Sequence, residues 1–158
     1  MNLTNLKETM GLQAFGLAKI PMILFLTPRV IDVSDARAEV RIALTRRSRN
    51  HLGSMYFGAL AVGADCCGGM LAFRLIRKFK DKKISLVFKD FSAQFLKRPE
   101  GDVHFTCDMG PQIAALIDQA VTTGERCHLP LAIVATVPKV SGTEPVATFI
   151  LTLSIKAT

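Results

Sequence analysis

Between Leu52 and Phe73 the chain carries one charged residue, Asp65. The rest of that run is Leu, Val, Gly, Ala, Met, Cys and aromatic, with one Ser. Burial disfavours the charged form of a carboxylate and so raises its pKa. An acid tuned in this way is a better general base near neutral pH than a surface Asp. It could also attack a carbonyl directly and pass through an anhydride. The structural alternative is a carboxylate satisfied by backbone or partner-chain donors, because a perturbed acid is a candidate for function and not a proof of it.

Tyr56-Phe57-Gly58 opens the same run. At the start of a helix the amides of Phe57 and Gly58 lack intrahelical acceptors, and the helix dipole favours negative charge there. Gly58 also permits close approach of a ligand. These amides are the candidate donors for a developing oxyanion. Asn50, taken alone, reads as a turn residue. Ser54 reads as a helix N-cap, since no GxSxG surrounds it. Lys89 and Ser92 sit beside a break in a strand pattern and could line a groove; ordinary strand positions are the simpler reading. His51, His104 and His128 are scattered, and Cys66, Cys67, Cys107 and Cys127 match no zinc spacing, so no metal is expected. The cysteine usage fits a reduced, cytoplasmic protein.

The elements that must position these residues emerge from periodicity. Residues 3–20 have the spacing of an amphipathic helix, with Leu3, Leu6, Met10, Phe15 and Leu17 among its apolar positions. Pro21 ends it. Residues 29–34 read as a short strand, and residues 37–44 alternate as a half-buried antiparallel strand, Ala38, Val40, Ile42 and Leu44 on one face. The apolar run predicts a helix over Met55–Phe79, apolar on all sides and therefore surrounded. Its many glycines and alanines would let a sheet wrap it closely. Residues 84–97 alternate, with a phase slip at Lys89–Asp90 that a β-bulge would repair. A strand at 103–107, a helix opened by Pro111 and closed by Gly124, and two long strands at 127–137 and 146–156 complete the pattern. This is an α+β chain, an antiparallel sheet curled around one long helix.

Composition sets the bounds. The chain has 158 residues, enough for one domain with a sizeable core, and residues 1–158 are read as such. The formal charge is +7, densest at Arg74–Lys83 and Arg46–Arg49. A basic balance suits nucleic acid, an anionic surface or a phosphorylated small molecule. One Phe, Phe79, is the sole aromatic in the two clusters and neither belongs to a recognisable module, so nucleic acid is not expected. The Leu52–Phe73 run is long enough to span a bilayer. Asp65 at its middle would cost about 3 kcal/mol there, and a buried core helix is the better reading.

The layout resembles the hotdog fold, in which a curved sheet wraps a central helix. Residues Asn50 to Gly69 are similar to the PaaI-like acyl-CoA thioesterases and an uncharacterised branch beside them: an Asn, a Gly-containing turn into the central helix at 53–60, and an acid on its second or third turn, here Asp65. The resemblance implies hydrolysis of an acyl or aryl thioester of coenzyme A, with Asp65 activating water or attacking. It implies that Asn50 orients the thioester or the water and that Phe57 and Gly58 supply the oxyanion hole. Tyr56, Lys89 and Ser92 would line the substrate. No cofactor is implied beyond coenzyme A within the substrate, whose phosphates the basic clusters could hold. The family site forms between subunits, which implies at least a homodimer and allows a tetramer. The sequence departs at one place: Tyr56-Phe57-Gly58 stands where the family has His-Gly-Gly. That departure favours a competing reading, a hotdog protein that binds an acyl or aryl thioester, or a free acid, without hydrolysing it. A hotdog dehydratase or hydratase would need a His–acid pair, and the sequence offers no His that can be assigned to one.

Overall fold

The long apolar run becomes a helix because it is too long and too unbroken for a strand, and the sheet closes round it. In the computed structural model, which describes residues 3–158, α3 spans Phe57–Ile76. Ala64, Cys67, Leu71 and Ala72 on it have no exposed surface. It begins two residues later than Met55 and ends three before Phe79. Tyr56 and not Ser54 is the N-cap residue, with no side-chain capping bond. Ser54 is drawn away by Asn50, whose Nδ2 donates to its Oγ at 3.1 Å. By length and composition α3 could cross a bilayer, yet 67% of its most apolar window is buried inside the protein.

Six strands form one antiparallel sheet: β1 Arg29–Val33, β2 Ala38–Ile42, β3 Ile84–Phe95, β4 Val103–Cys107, β5 Cys127–Thr136 and β6 Pro145–Ala157. Their order is β1-β2-β4-β5-β6-β3, so β1 and β3 are its edges. The phase slip appears where the alternation breaks. Phe88 faces Leu153 and Phe91 faces Leu151, which leaves one extra residue on β3. Phe105, Phe149, Leu131, Ile133 and Leu153 point into the core against α3. The small residues of α3 allow the sheet to approach. A Cβ on Gly63 would lie 2.2 Å from the Phe105 ring, and one on Gly68 would lie 3.2 Å from Ile133 and Leu131. α4, Gly110–Thr123, packs on the same helix and ends at Gly124, whose φ of 70° is the left-handed value that favours glycine. A four-residue helix, α5 Pro138–Ser141, occupies the final turn region.

The N-terminal region differs most from expectation. α1 covers Leu3–Ala18, and Pro21 then opens a second helix, α2 Pro21–Leu26, as its first residue. α1 does not bury its apolar stripe. Asn5, Thr9 and Gly16 face inward, while Leu3, Met10 and Leu17 are 65%, 63% and 71% exposed. The reason lies in the edge strand. Asn5 Nδ2 donates to the Ile31 carbonyl, and Thr9 Oγ1 accepts the Val30 amide at 2.9 Å. The polar face of α1 thus satisfies β1 backbone groups that would otherwise lack partners.

Candidate functional site

Asp65 lies on the third turn of α3, between buried Ala64 and Cys66. It opens into a cavity of about 390 Å³. α1 and α2 wall this cavity with Leu12, Phe15 and Ile23, α3 with Gly69, Met70 and Phe73, and β3 with Leu86 and Phe88. Among the described residues Asp65 makes no hydrogen bond and no ion pair, and burial alone pushes its carboxyl above the usual range. Among the described residues no donor satisfies Asp65, so the structural reading finds no support within them. Cys66, beside it, is buried, and burial followed by the Asp65 charge holds its thiol well above the usual range, which disfavours the thiolate. Glu8, the other carboxylate of the lining, is committed elsewhere: it pairs with Arg74 and Arg77, each at 3.3 Å.

The start of α3 borders a second space, an open cleft of about 600 Å³. Asn50, Tyr56, Phe57, Phe95 and Arg98 are among its walls, and no carboxylate is. Tyr56 O accepts the amides of Ala59 and Leu60, so the first intrahelical bonds begin there. The amides of Phe57 and Gly58 have no acceptor among the described residues. They are free N–H groups at the positive end of a 20-residue helix. The Tyr56 ring leans over Gly58, where a Cβ would meet it at 2.6 Å, and stacks at a tilt on Phe57 at 4.7 Å. Asn50 is half-buried and locks its own turn: Oδ1 accepts the Leu52 amide at 2.9 Å while Nδ2 reaches Ser54. One Nδ2 hydrogen remains for the cleft.

The residues singled out by sequence thus fall into two groups. Asn50, Tyr56, Phe57 and Gly58 gather at the head of α3, and Asp65 stands eight residues along, about 12 Å at 1.5 Å per residue. Lys89 and Ser92 are exposed on β3 and line neither space. Of the basic run 74–83, Arg74, Arg77 and Lys78 are held by Glu8 and Asp35. Asp35 is correspondingly lowered, chiefly by its bond from Lys78. His104 pairs with Glu39 at 2.7 Å on β2 and β4, away from both spaces. Among the described residues no three His, Cys, Asp or Glu side chains gather as metal ligands. Periodicity did not reveal the contribution of α1 to the Asp65 cavity. Glu8, Gly11, Leu12 and Phe15 have i, i+3, i+4, i+7 spacing and so share one face, but only the fold shows what that face meets.

Residues 10–153 match the family described as a domain of unknown function, DUF4442. The chain belongs to this family. No curated protein sequence matches the DUF4442 chain. Solved structures do. One is a protein of unknown function and probable thioesterase from Pseudomonas aeruginosa, 20% identical, with a TM-score of 0.75 over 95% of this chain and 96% of that one. Another, of unknown function, from Chlorobaculum tepidum, is 14% identical with a TM-score of 0.78 over 94% and 93%. A thioesterase from Haemophilus influenzae is 14% identical with a TM-score of 0.65 over 90% and 87%. At these identities the likeness is one of fold: the DUF4442 chain is a hotdog protein, a six-stranded antiparallel sheet wrapped on α3.

Proposed function

We propose that this protein is an acyl-CoA thioesterase whose site is completed by a second copy of the chain. One observation carries the reading: Asp65, unpaired and raised in pKa, faces an apolar cavity. The cavity suits an acyl or aryl group, and Asp65 is the base that activates water at the thioester carbonyl. The oxyanion donors are the free Phe57 and Gly58 amides. They stand about 12 Å away along the same rigid helix. Reacting atoms must approach to about 3–3.5 Å, so one chain offers two half-sites. Edge strand β3 supports the second copy. Val87, Phe91 and Phe95 on it are 53%, 45% and 54% exposed, and Phe57 beside them is 59% exposed. Long apolar edges are rarely left bare. Pairing of β3 with its counterpart would bring the Asp65 of one copy towards the α3 head of the other. Arg98, exposed in the cleft, is the cation we assign to a coenzyme A phosphate. The reaction needs no cofactor, and the four free cysteines fit a cytoplasmic setting.

Mixing two inactive variants tests this. Asp65→Asn removes the base. Phe57→Pro removes one donor without stopping the helix, since Pro is favoured at the first helical position and Tyr56 already has the extended backbone (φ −67°, ψ 140°) that precedes Pro. Each alone should release little thiol from an acyl-CoA panel. Co-expressed heterodimers should regain turnover, because one of their two sites is intact. No recovery would place the whole site within one chain. Acyl-CoA binding without turnover in the unmodified protein would select the binding reading instead, the one that the missing His-Gly-Gly favours.

A further inference from the structure

The outer face of the N-terminal helices has no partner within the chain. Leu3, Leu6, Met10 and Leu17 recur on one side of α1, and Met22 and Phe25 stand out from α2 at 57% and 50% exposure. The two helices form one tight unit, because a Cβ on Gly16 would come within 2.8 Å of the Leu24 amide. An apolar side facing solvent, with the polar side committed to β1, is the reverse of an ordinary surface helix. The contacts of Asn5 and Thr9 hold this orientation in place.

The unpaired charges on the hairpin are of one sign. Lys7 and Lys19 are exposed on the hairpin and make no ion pair among the described residues. Glu8, the one acid in residues 3–26, is turned inward onto Arg74 and Arg77. Arg47 lies over the Phe25 ring at 5.6 Å, which brings the exposed Arg46–Arg49 turn alongside α2. The geometry points to a docking surface for an anionic lipid bilayer, with the α1–α2 hairpin lying in the interface and the cations meeting headgroup phosphates. A second copy seated on this face would bring its own lysines to it, with no unpaired carboxylate on either hairpin to offset them. The inner faces of the same helices wall the Asp65 cavity through Leu12, Phe15 and Ile23. Docking therefore places lipid and cavity on opposite sides of one helical layer. This inference does not rest on the proposed hydrolysis.

Sedimentation of the full chain with vesicles tests it. Vesicles doped with phosphatidylglycerol should pull the protein down at least about ten-fold better than pure phosphatidylcholine, because each cation near an anionic surface contributes roughly a five-fold factor. Added salt should weaken the binding. Met10→Gln/Leu17→Gln should reduce it about ten-fold through lost apolar burial, with an unchanged melting temperature because both side chains already face solvent. Lys7→Glu/Lys19→Glu should abolish the preference for anionic vesicles. No sedimentation with doped vesicles, or binding indifferent to both double variants, overturns the proposal. So does loss of mass in light scattering on Met10→Gln/Leu17→Gln without vesicle binding, which would identify a second copy as the occupant.

Discussion

Replacing Asp65 with Asn isolates the carboxylate and changes little else, since the two side chains are nearly isosteric. The cavity holds no substitute, because Glu8 is engaged by two arginines. Loss of a general base costs about 10²–10⁴-fold in rate, or about 2.7–5.5 kcal/mol of transition-state stabilisation. Thiol release from acyl-CoA should fall by that range in kcat with KM nearly unchanged. In the unmodified protein kcat/KM should decline as pH falls through the raised Asp65 pKa, a step that the Asn variant lacks. Stability should move the opposite way to activity. The folded pKa of Asp65 lies above the unfolded value of 3.8, with burial as the cause. Folding then disfavours the ionised form, so the penalty is absent below pH 3.8 and grows as pH rises through the folded pKa. Each unit of that elevation is worth about 1.4 kcal/mol. Asp65→Asn should therefore melt higher than the unmodified chain at pH 7–8 and lose the advantage in acid. A variant that melts lower at neutral pH would mean that Asp65 is held by donors and is structural. A variant that melts higher but keeps its turnover would leave the buried charge real and the catalytic role refuted.

Phe57→Pro deletes one free amide at the head of α3 and should lower kcat by about 10²–10³-fold with the helix intact by circular dichroism; unchanged kcat would remove that amide from the oxyanion hole. Gly63→Ala drives a methyl into the Phe105 ring, 2.2 Å from its nearest atoms, and should cost at least about 1–3 kcal/mol in denaturant melts. Thr9→Val keeps the shape but leaves the buried Val30 amide without its acceptor, and should cost about 1–3 kcal/mol. A smaller loss would show that α1 does not seal the β1 edge.

Strands were legible wherever one face alone is buried. Residues 38–42 and 103–107 alternate in sequence, and their buried and half-buried positions alternate in the fold. The bulge at Lys89–Asp90 could be found because a slip of one residue reverses the faces, and the apolar residues change phase there. The first helix was legible, but the face it buries was not, for the opposite reason. α1 buries its small and polar residues, and the partners that make this favourable, the Val30 amide and the Ile31 carbonyl, lie more than twenty positions away. α2 was missed because Pro21 both breaks the helix on its N-terminal side and makes a good first residue for the helix on its C-terminal side. Asp65 stood out by being alone in its run. The role of α1 as one wall of the Asp65 cavity needed the tertiary fold.

The central helix gathers features that a purely structural core helix would avoid. Gly63, Gly68 and Gly69 each cost about 1 kcal/mol of helix propensity. Gly63 and Gly68 are compensated within the chain, because a side chain at either would crowd Phe105 or Ile133. Beyond Gly69, which nothing crowds, two further features have no compensation among the described residues. Asp65 is desolvated without a donor, and the Phe57 and Gly58 amides are left without a cap although Ser54 stands three residues before Phe57. Ser54 instead secures the Asn50 turn, so the fold gives up a cap worth about 1 kcal/mol and keeps the helix end open. An acid without a donor and amides without an acceptor among the described residues, about 12 Å apart along one helix, are the two halves of the site we propose to be shared between two copies. In that proposal a thioester carbonyl held between the base and the amides would satisfy both at once.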